Sequence, residues 1–487
     1  MTTSHTARER PAGPAVSGDS EVHYAGLLDV AARIRDRELT PVELTEALLA
    51  RIEHIDPALC SYATVTADAA IRQARTADAE MQAGRYRGPL HGVPIAVKDN
   101  IFTAGIVTAA GTTIHSEHVP SYDSTVVRRL TEAGAILLGK LQLTEGAFAE
   151  HHSSVTPPRN PWNPGYWSGA SSSGSGVAVA AGLGFGALGT DTGGSIRYPS
   201  AANGVTGIKP TWGRVSRHGV FALAASLDHV GPMARSAVDA GAILGAIAGA
   251  DPRDPTALTI PVPDYLAGLD ASVGDLRVGV DRSYNETRVD SETIRMLDEV
   301  VAVLRRMGVT IAEVTLDGTA AINALWPRYA GAEAALAHHE TFPSRASEYN
   351  PVDTPGSIAG LIAPGHTVSG LELMRAHHQR LAFTGGLRHT LRDVDVLLAP
   401  VQPTTSLTLA QKDSLYADAD ALTDFLRFVT PFDMSGNPTI TLPGGFDEDD
   451  MPLGFQFVGR AFDEELLIRL GDAYQRETDW HLRHPEL

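Results

Sequence analysis

The chain has 487 residues, 43% of them hydrophobic and 20% charged, and a formal net charge of −19. That content suffices for a large buried core, and the acidic balance argues against a nucleic-acid partner, which calls for a basic face. Its one cysteine, Cys60, excludes an intrachain disulfide framework.

Residues 1–21 are polar and rich in Ser, Pro and Gly, without the apolar core of a secretory signal. They read as a disordered leader ahead of one domain spanning 22–487. Two amphipathic helices follow. The second opens with Thr40 as N-cap, Pro41 at the first helical position and Glu43 one turn on. A further helix covers Ala67–Ala83, and Val93–Val97 is an apolar run suited to a buried strand. The segment from Ser124 to Lys140 reads as helix, glycine turn and buried strand. A helix of small residues, Val177–Gly182, leads into a strand through Phe185–Gly194. The longest apolar stretch, Val177–Gly189, falls short of the roughly 20 residues that span a bilayer, so a soluble, cytoplasmic protein without a membrane partner is expected. The proline-rich stretch 251–266 is a surface connection or subdomain boundary. Beyond it lie a β-α-β unit from Val273 to Leu316, strands at Val394–Val401, Pro438–Phe446 and Leu453–Arg460, and a closing helix from Asp463. This alternation predicts an α/β fold, a mixed and largely parallel sheet flanked by helices on both faces.

Several patterns lead nowhere. Gly134–Leu141 has the glycine-lysine spacing of a P-loop, but Leu141 stands where a hydroxyl should hold magnesium, and the intervening residues suit a strand. The pairs His151-His152, His338-His339 and His377-His378 point about 100° apart on a helix, which suits no single metal. Cys60 has no glycine-rich turn beside it and reads as a packing residue.

Three segments do suggest chemistry. Lys98 closes the apolar run Val93–Val97; it is either half of an ordinary ion pair, with Asp99 or another carboxylate, or an amine that burial keeps neutral and able to take a proton. The serine-rich stretch "GASSSGS", Gly169–Ser175, offers hydroxyls for proton transfer or an anion nest. "DTGGS", Asp191–Ser195, offers glycines that let backbone N–H groups face a substrate oxygen. Together they make a serine nucleophile with a lysine base.

"GVPIAVKDNI" at Gly92, "SGASSSGSGVAVAAG" at Ser168, "GTDTGGSIRYPSAANGVTGIKPTWGRVS" at Gly189 and "SLDHVGPMARS" at Ser226 strongly resemble the amidase signature family in content, order and spacing. The resemblance runs from about residue 22 to the C-terminal strand and helix. It implies a Ser–cis-Ser–Lys triad: Ser195 the nucleophile, Ser171 the bridging serine on a cis peptide after Ala170, and Lys98 the base. It further implies an oxyanion hole from the amides of Thr192, Gly193, Gly194 and Ser195, with Ser172, Asp191 and Arg197 holding the loops, and no metal or cofactor. For Arg197 a structural role is preferred to substrate contact. Ala170 and Ser173 replace glycines usual in the family, which puts the lining of the pocket floor in question.

The expected reaction is hydrolysis of a C–N bond in a small amide through an acyl-enzyme. A carbamate or urea substrate is the main alternative. A glutamine-hydrolysing subunit of a tRNA amidotransferase and a non-catalytic anion-binding module are the others. The aromatics Trp326, Tyr329, Phe342, Tyr416, Phe425 and Phe428 are equally candidates for pocket and core. The partner expected is a small molecule; a homodimer is common in such families, but oligomeric state is not legible in the sequence.

Overall fold

The computed structural model describes residues 19–341 and 345–487. Most of the expected leader, and Phe342, lie outside the described residues; the leader's last residues enter a 3₁₀ turn, Asp19–Tyr24.

Eleven strands form one sheet: β1 Tyr62–Val65, β2 Pro94–Lys98, β3 Ile136–Leu141, β4 Gly186–Asp191, β5 Thr206–Lys209, β6 His229–Ala234, β7 Arg277–Val280, β8 Thr310–Glu313, β9 Val396–Pro400, β10 Thr439–Phe446 and β11 Pro452–Gly459. Their order is β1-β3-β2-β4-β6-β5-β10-β11-β9-β7-β8. Strand β2 runs parallel to β3 and β4, and β7 runs parallel to β8 and β9. The remaining pairings are antiparallel. The sheet is therefore mixed, with parallel pairing confined to two regions joined through helical crossovers, and an antiparallel centre that includes the β10–β11 hairpin. Strands from both sides of the irregular 251–266 segment share this sheet.

Helices cover both faces. Helix Arg197–Asn203 sets Ala201 against Gly454 of β11, while helix Glu464–Glu477 sets Gly471 against Ile440 and Leu442 of β10. Gly454 pairs with Pro443, so it shares the face of the odd-numbered β10 residues, opposite Ile440 and Leu442. The helix predicted to open at Thr40 does so: the Thr40 hydroxyl accepts from Glu43 N–H, and the Glu43 carboxylate accepts from Thr40 N–H.

The site depends on one topological fact. Strands β2 and β4 are neighbours and parallel, so both end on the same edge of the sheet. The helix before β4, Ser173–Ala180, precedes it directly and runs back along it, so its first turn lies at that edge too. It starts four residues earlier than Val177, and every residue in it is buried. Gly174 allows this: a Cβ there would lie 2.4 Å from the Ser61 carbonyl oxygen. Lys98, the serine loop and the Asp191–Ser195 turn thus converge.

Candidate active site

Lys98 is fully buried at the end of β2. Its Nζ donates to Ser171 Oγ at 2.7 Å, Ser172 Oγ at 2.9 Å, Thr190 Oγ1 at 2.8 Å and, more weakly, the Thr190 carbonyl at 3.4 Å. The ion pair with Asp99 does not form. Asp99 points to the other side of the strand, as neighbours along a strand do, and pairs with Lys140 at 3.1 Å. Lys140 also donates to Thr108 Oγ1 at 2.7 Å and sits inside β3, as expected for a strand and not a phosphate loop. Burial lowers the Lys98 amine to about 7, against the opposing pull of Asp191 and Asp228. When neutral, it has one lone pair and two N–H groups for these hydroxyl and carbonyl partners.

The Ala170–Ser171 peptide bond is cis. Ser171 is buried, and its carbonyl accepts from Thr144 N–H at 3.3 Å. Ser172 joins the two loops: its N–H donates to the Ser195 carbonyl at 3.2 Å, and its hydroxyl donates to the Thr190 carbonyl at 3.2 Å. Ser173 does not line the cavity described below. Its hydroxyl is 3.1 Å from Nε2 of His151, a histidine whose burial lowers it to about 3, so it is a neutral buried partner and not a surface residue.

Asp191 organises the turn that follows β4. Its carboxylate accepts from Gly194 N–H at 2.7 Å, Ile196 N–H at 2.9 Å and Arg197 Nε at 3.0 Å. Burial opposes its charge, but Arg197 outweighs that and holds the carboxyl well below the usual carboxylate range. Arg197 is itself buried, bonded also to Asp433 and to the Val429 carbonyl at 2.8 Å. It supports the loop and does not line the cavity. Gly194, with φ of 116°, leaves no room for a Cβ, which would meet the Tyr198 ring at 2.5 Å. The family resemblance puts the Gly194 amide in an oxyanion hole, but this N–H is turned onto Asp191. The amides of Thr192, Gly193 and Ser195 make no hydrogen bond within the described chain.

Asp228 and Trp326 brace this turn from outside. The Thr192 hydroxyl donates to Asp228 at 2.6 Å, and Trp326 Nε1 donates to the Thr192 carbonyl at 2.9 Å. Asp228 also accepts from Leu223 N–H at 3.0 Å and Ala224 N–H at 3.1 Å. Burial pushes it up to about 6. Asp228→Ala would leave three buried donors without an acceptor, at about 1–3 kcal/mol each. If the turn carries the chemistry, kcat should fall at least about tenfold, which steady-state kinetics would read.

A cavity opens over Ser195. Its walls include Phe148, Trp167, Tyr198, Trp326, Tyr416 and Phe425, with leucines and alanines between them, and no charged side chain lines it. Three of the aromatics singled out from sequence are thus in the wall. Tyr329 and Phe428 are instead buried under Arg380 and Arg427. Phe148 and Trp167 lie in the stretch from Glu145 to Trp167, less typical of the family, which from sequence is expected to help shape the acyl side of the cleft; Tyr198 is missed, although it sits within the stretch quoted at Gly189. Thr190, Asn100 and Asp228 are missed as well. All lie inside the quoted stretches, but nothing in the one-dimensional pattern marks them.

Among the described residues, no group of three or more His, Cys, Asp or Glu side chains is placed to hold a metal ion. No described helix is long and apolar enough to cross a membrane.

Comparison with known proteins places the chain in a family. The amidase family profile matches residues 43–468. The chain is 49% identical over 459 residues to a Mycobacterium tuberculosis protein named "Putative amidase AmiD", covering 94% of this chain and 95% of that one. It is 39% identical over 488 residues to a Roseiflexus sp. protein that is one of the subunits of glutamyl-tRNA(Gln) amidotransferase, covering 96% and 99%. Among solved structures, native peptide amidase from Stenotrophomonas maltophilia superposes with a TM-score of 0.81 at 31% identity, covering 95% of this chain and 98% of that one. The chain is a member of the amidase signature family of α/β enzymes.

Proposed function

We propose that the chain hydrolyses small neutral amides with an apolar acyl portion, Ser195 acting as nucleophile, Ser171 as relay and Lys98 as base. The observation that carries this reading is a buried lysine bonded to Ser171, whose chain neighbour Ala170 lines, with Ser195, an uncharged, aromatic-walled cavity. Ser195 Oγ attacks the carbonyl carbon. Its proton passes to Ser171 Oγ as the Ser171 proton passes to the lone pair of Lys98. The oxyanion is met by the amides of Thr192, Gly193 and Ser195. Return of the proton to the departing nitrogen breaks the C–N bond, and water, activated by the same relay, hydrolyses the acyl-enzyme.

Aryl carbamates and ureas present the same carbonyl to the same groups, so they stand as a second reading. A glutaminase reading, suggested by the amidotransferase relative, is less well supported. Free glutamine carries an ammonium and a carboxylate, and burying either without a charged partner is costly. A panel of aryl and alkyl amides, anilides, aryl carbamates, ureas and glutamine tests this. The expected outcome is highest kcat/KM for uncharged apolar amides, with glutamine at least about 100-fold poorer. Preferential turnover of glutamine would overturn the reading.

A further inference from the structure

A second cavity, of about 150 Å³, shares Ala147, Thr192 and Leu223 with the aromatic one and lies on their other side. It runs from Arg253, whose side chain is 40% exposed, down to Thr190 and Asn100, which are 4% and 1% exposed. Its charged groups are already partnered. Asp254 accepts from Arg217 N–H at 2.7 Å, Arg217 Nη2 donates to Thr256 Oγ1 at 2.6 Å, Arg253 donates to Thr125 Oγ1 at 2.8 Å, and Asp228 holds Thr192.

Two neutral groups remain at its floor. Asn100 Oδ1 is buried without a hydrogen-bond partner among the described residues. Thr190 Oγ1 accepts from Lys98 at 2.8 Å and from Asn100 Nδ2 at 3.1 Å. A hydroxyl has two acceptor sites and one donor, so Thr190 keeps its O–H free to donate. An unused acceptor and an unused donor thus line one cavity roomy enough for several waters at about 30 Å³ each.

We propose that this cavity is an aqueous compartment whose water, bound to Asn100 Oδ1 and the Thr190 hydroxyl, acts on Lys98 through Thr190 and exchanges protons with it by that route while the aromatic cavity is filled. This rests on the reading of Lys98 as the base. The exchange balances: Lys98 in its ammonium form gives a proton to Thr190 Oγ1 as the Thr190 O–H proton passes to water, leaving a neutral amine, an intact threonine and a hydronium. The charged groups acting on Lys98 are Asp191, at the end of β4, and Asp228, ahead of β6. Its other polar neighbours, Ser171, Ser172 and Thr190, are neutral. The compartment therefore adjusts the pH at which the base becomes available.

Ala222 lines this cavity and not the aromatic one, so Ala222→Phe plugs the compartment. The kcat/KM of the best neutral amide is measured against pH for wild type, Ala222→Phe and the smaller Ala222→Leu. Displacing the water removes its stabilisation of the cation through Thr190, so the acid limb should move down by about one pH unit, with KM unchanged. A folded variant with a wild-type acid limb would overturn the proposal. A high-resolution crystal structure of the unmodified protein gives an independent arm: ordered water within hydrogen-bond distance of both Asn100 Oδ1 and Thr190 Oγ1 is expected, and a dry cavity would refute it. Lys98→Ala separates the two readings. An active Lys98→Ala removes the base assignment itself, whereas an inactive Lys98→Ala with an unmoved limb in the plugged variants removes only the compartment.

Discussion

Ser195→Ala is expected to lower kcat/KM by about 10⁴-fold or more while leaving the fold intact. The magnitude follows from what nucleophilic catalysis supplies: removing the attacking serine of a comparable relay removes nearly all acceleration that depends on the covalent step. The fold should survive because the Ser195 hydroxyl makes no hydrogen bond within the described chain, and its side chain borders the cavity. The loop is instead held by Asp191 and Arg197. A melting temperature within a few degrees of wild type should accompany the loss of turnover. Labelling by a fluorophosphonate probe should vanish in the same variant. A wild-type protein that takes no label and turns over no amide would favour an anion-binding role for these loops.

Lys98→Met carries the second large effect, a loss of about 10³-fold or more, because a serine hydroxyl without a base is a weak nucleophile. Ser171→Ala should cost somewhat less. The wild-type pH profile gives the sign. Lys98 is lowered to about 7 by burial; below that pH it is protonated, its lone pair is filled, and it cannot accept the proton relayed from Ser195. Activity should rise with pH through about 7 and fall roughly tenfold per unit below it. The acid limb should be absent from whatever residual rate Lys98→Met retains. An acid-optimal wild-type profile would contradict a lysine base. Stability shows the same sign. A lysine whose folded pKa lies below its unfolded value of about 10.4 penalises the folded state most at pH below 7, and the penalty fades as pH rises toward 10.4.

Much of this arrangement is legible along the chain because local chemistry specifies it. Thr40, Pro41 and Glu43 set a helix start by contacts within three residues. The β-α-β unit is present as β7, helix Ser291–Arg306 and β8, since its apolar periodicity is strong and local. Strands β1, β5 and β6 escape sequence reasoning. Strand β6, "HVGPMA", contains a glycine and a proline, yet it is buried throughout by its neighbours. The expectation of a largely parallel sheet overshoots for a related reason: alternation of helices and strands says little about which strands become neighbours.

The three reactive segments and their residue types can be read from the chain alone, because glycines that permit a turn, adjacent hydroxyls and a lysine ending an apolar strand are properties of short stretches. Folding in three dimensions settles the rest: Lys98 meets Ser171 and Thr190 and leaves Asp99 to Lys140, the Gly194 amide turns to Asp191, and a particular set of aromatics walls the cavity. Separation along the chain accounts for the difference. Lys98 reaches partners 73 and 92 residues away, and such contacts are set by the order in which strands assemble and by the directions in which neighbouring side chains alternate across them.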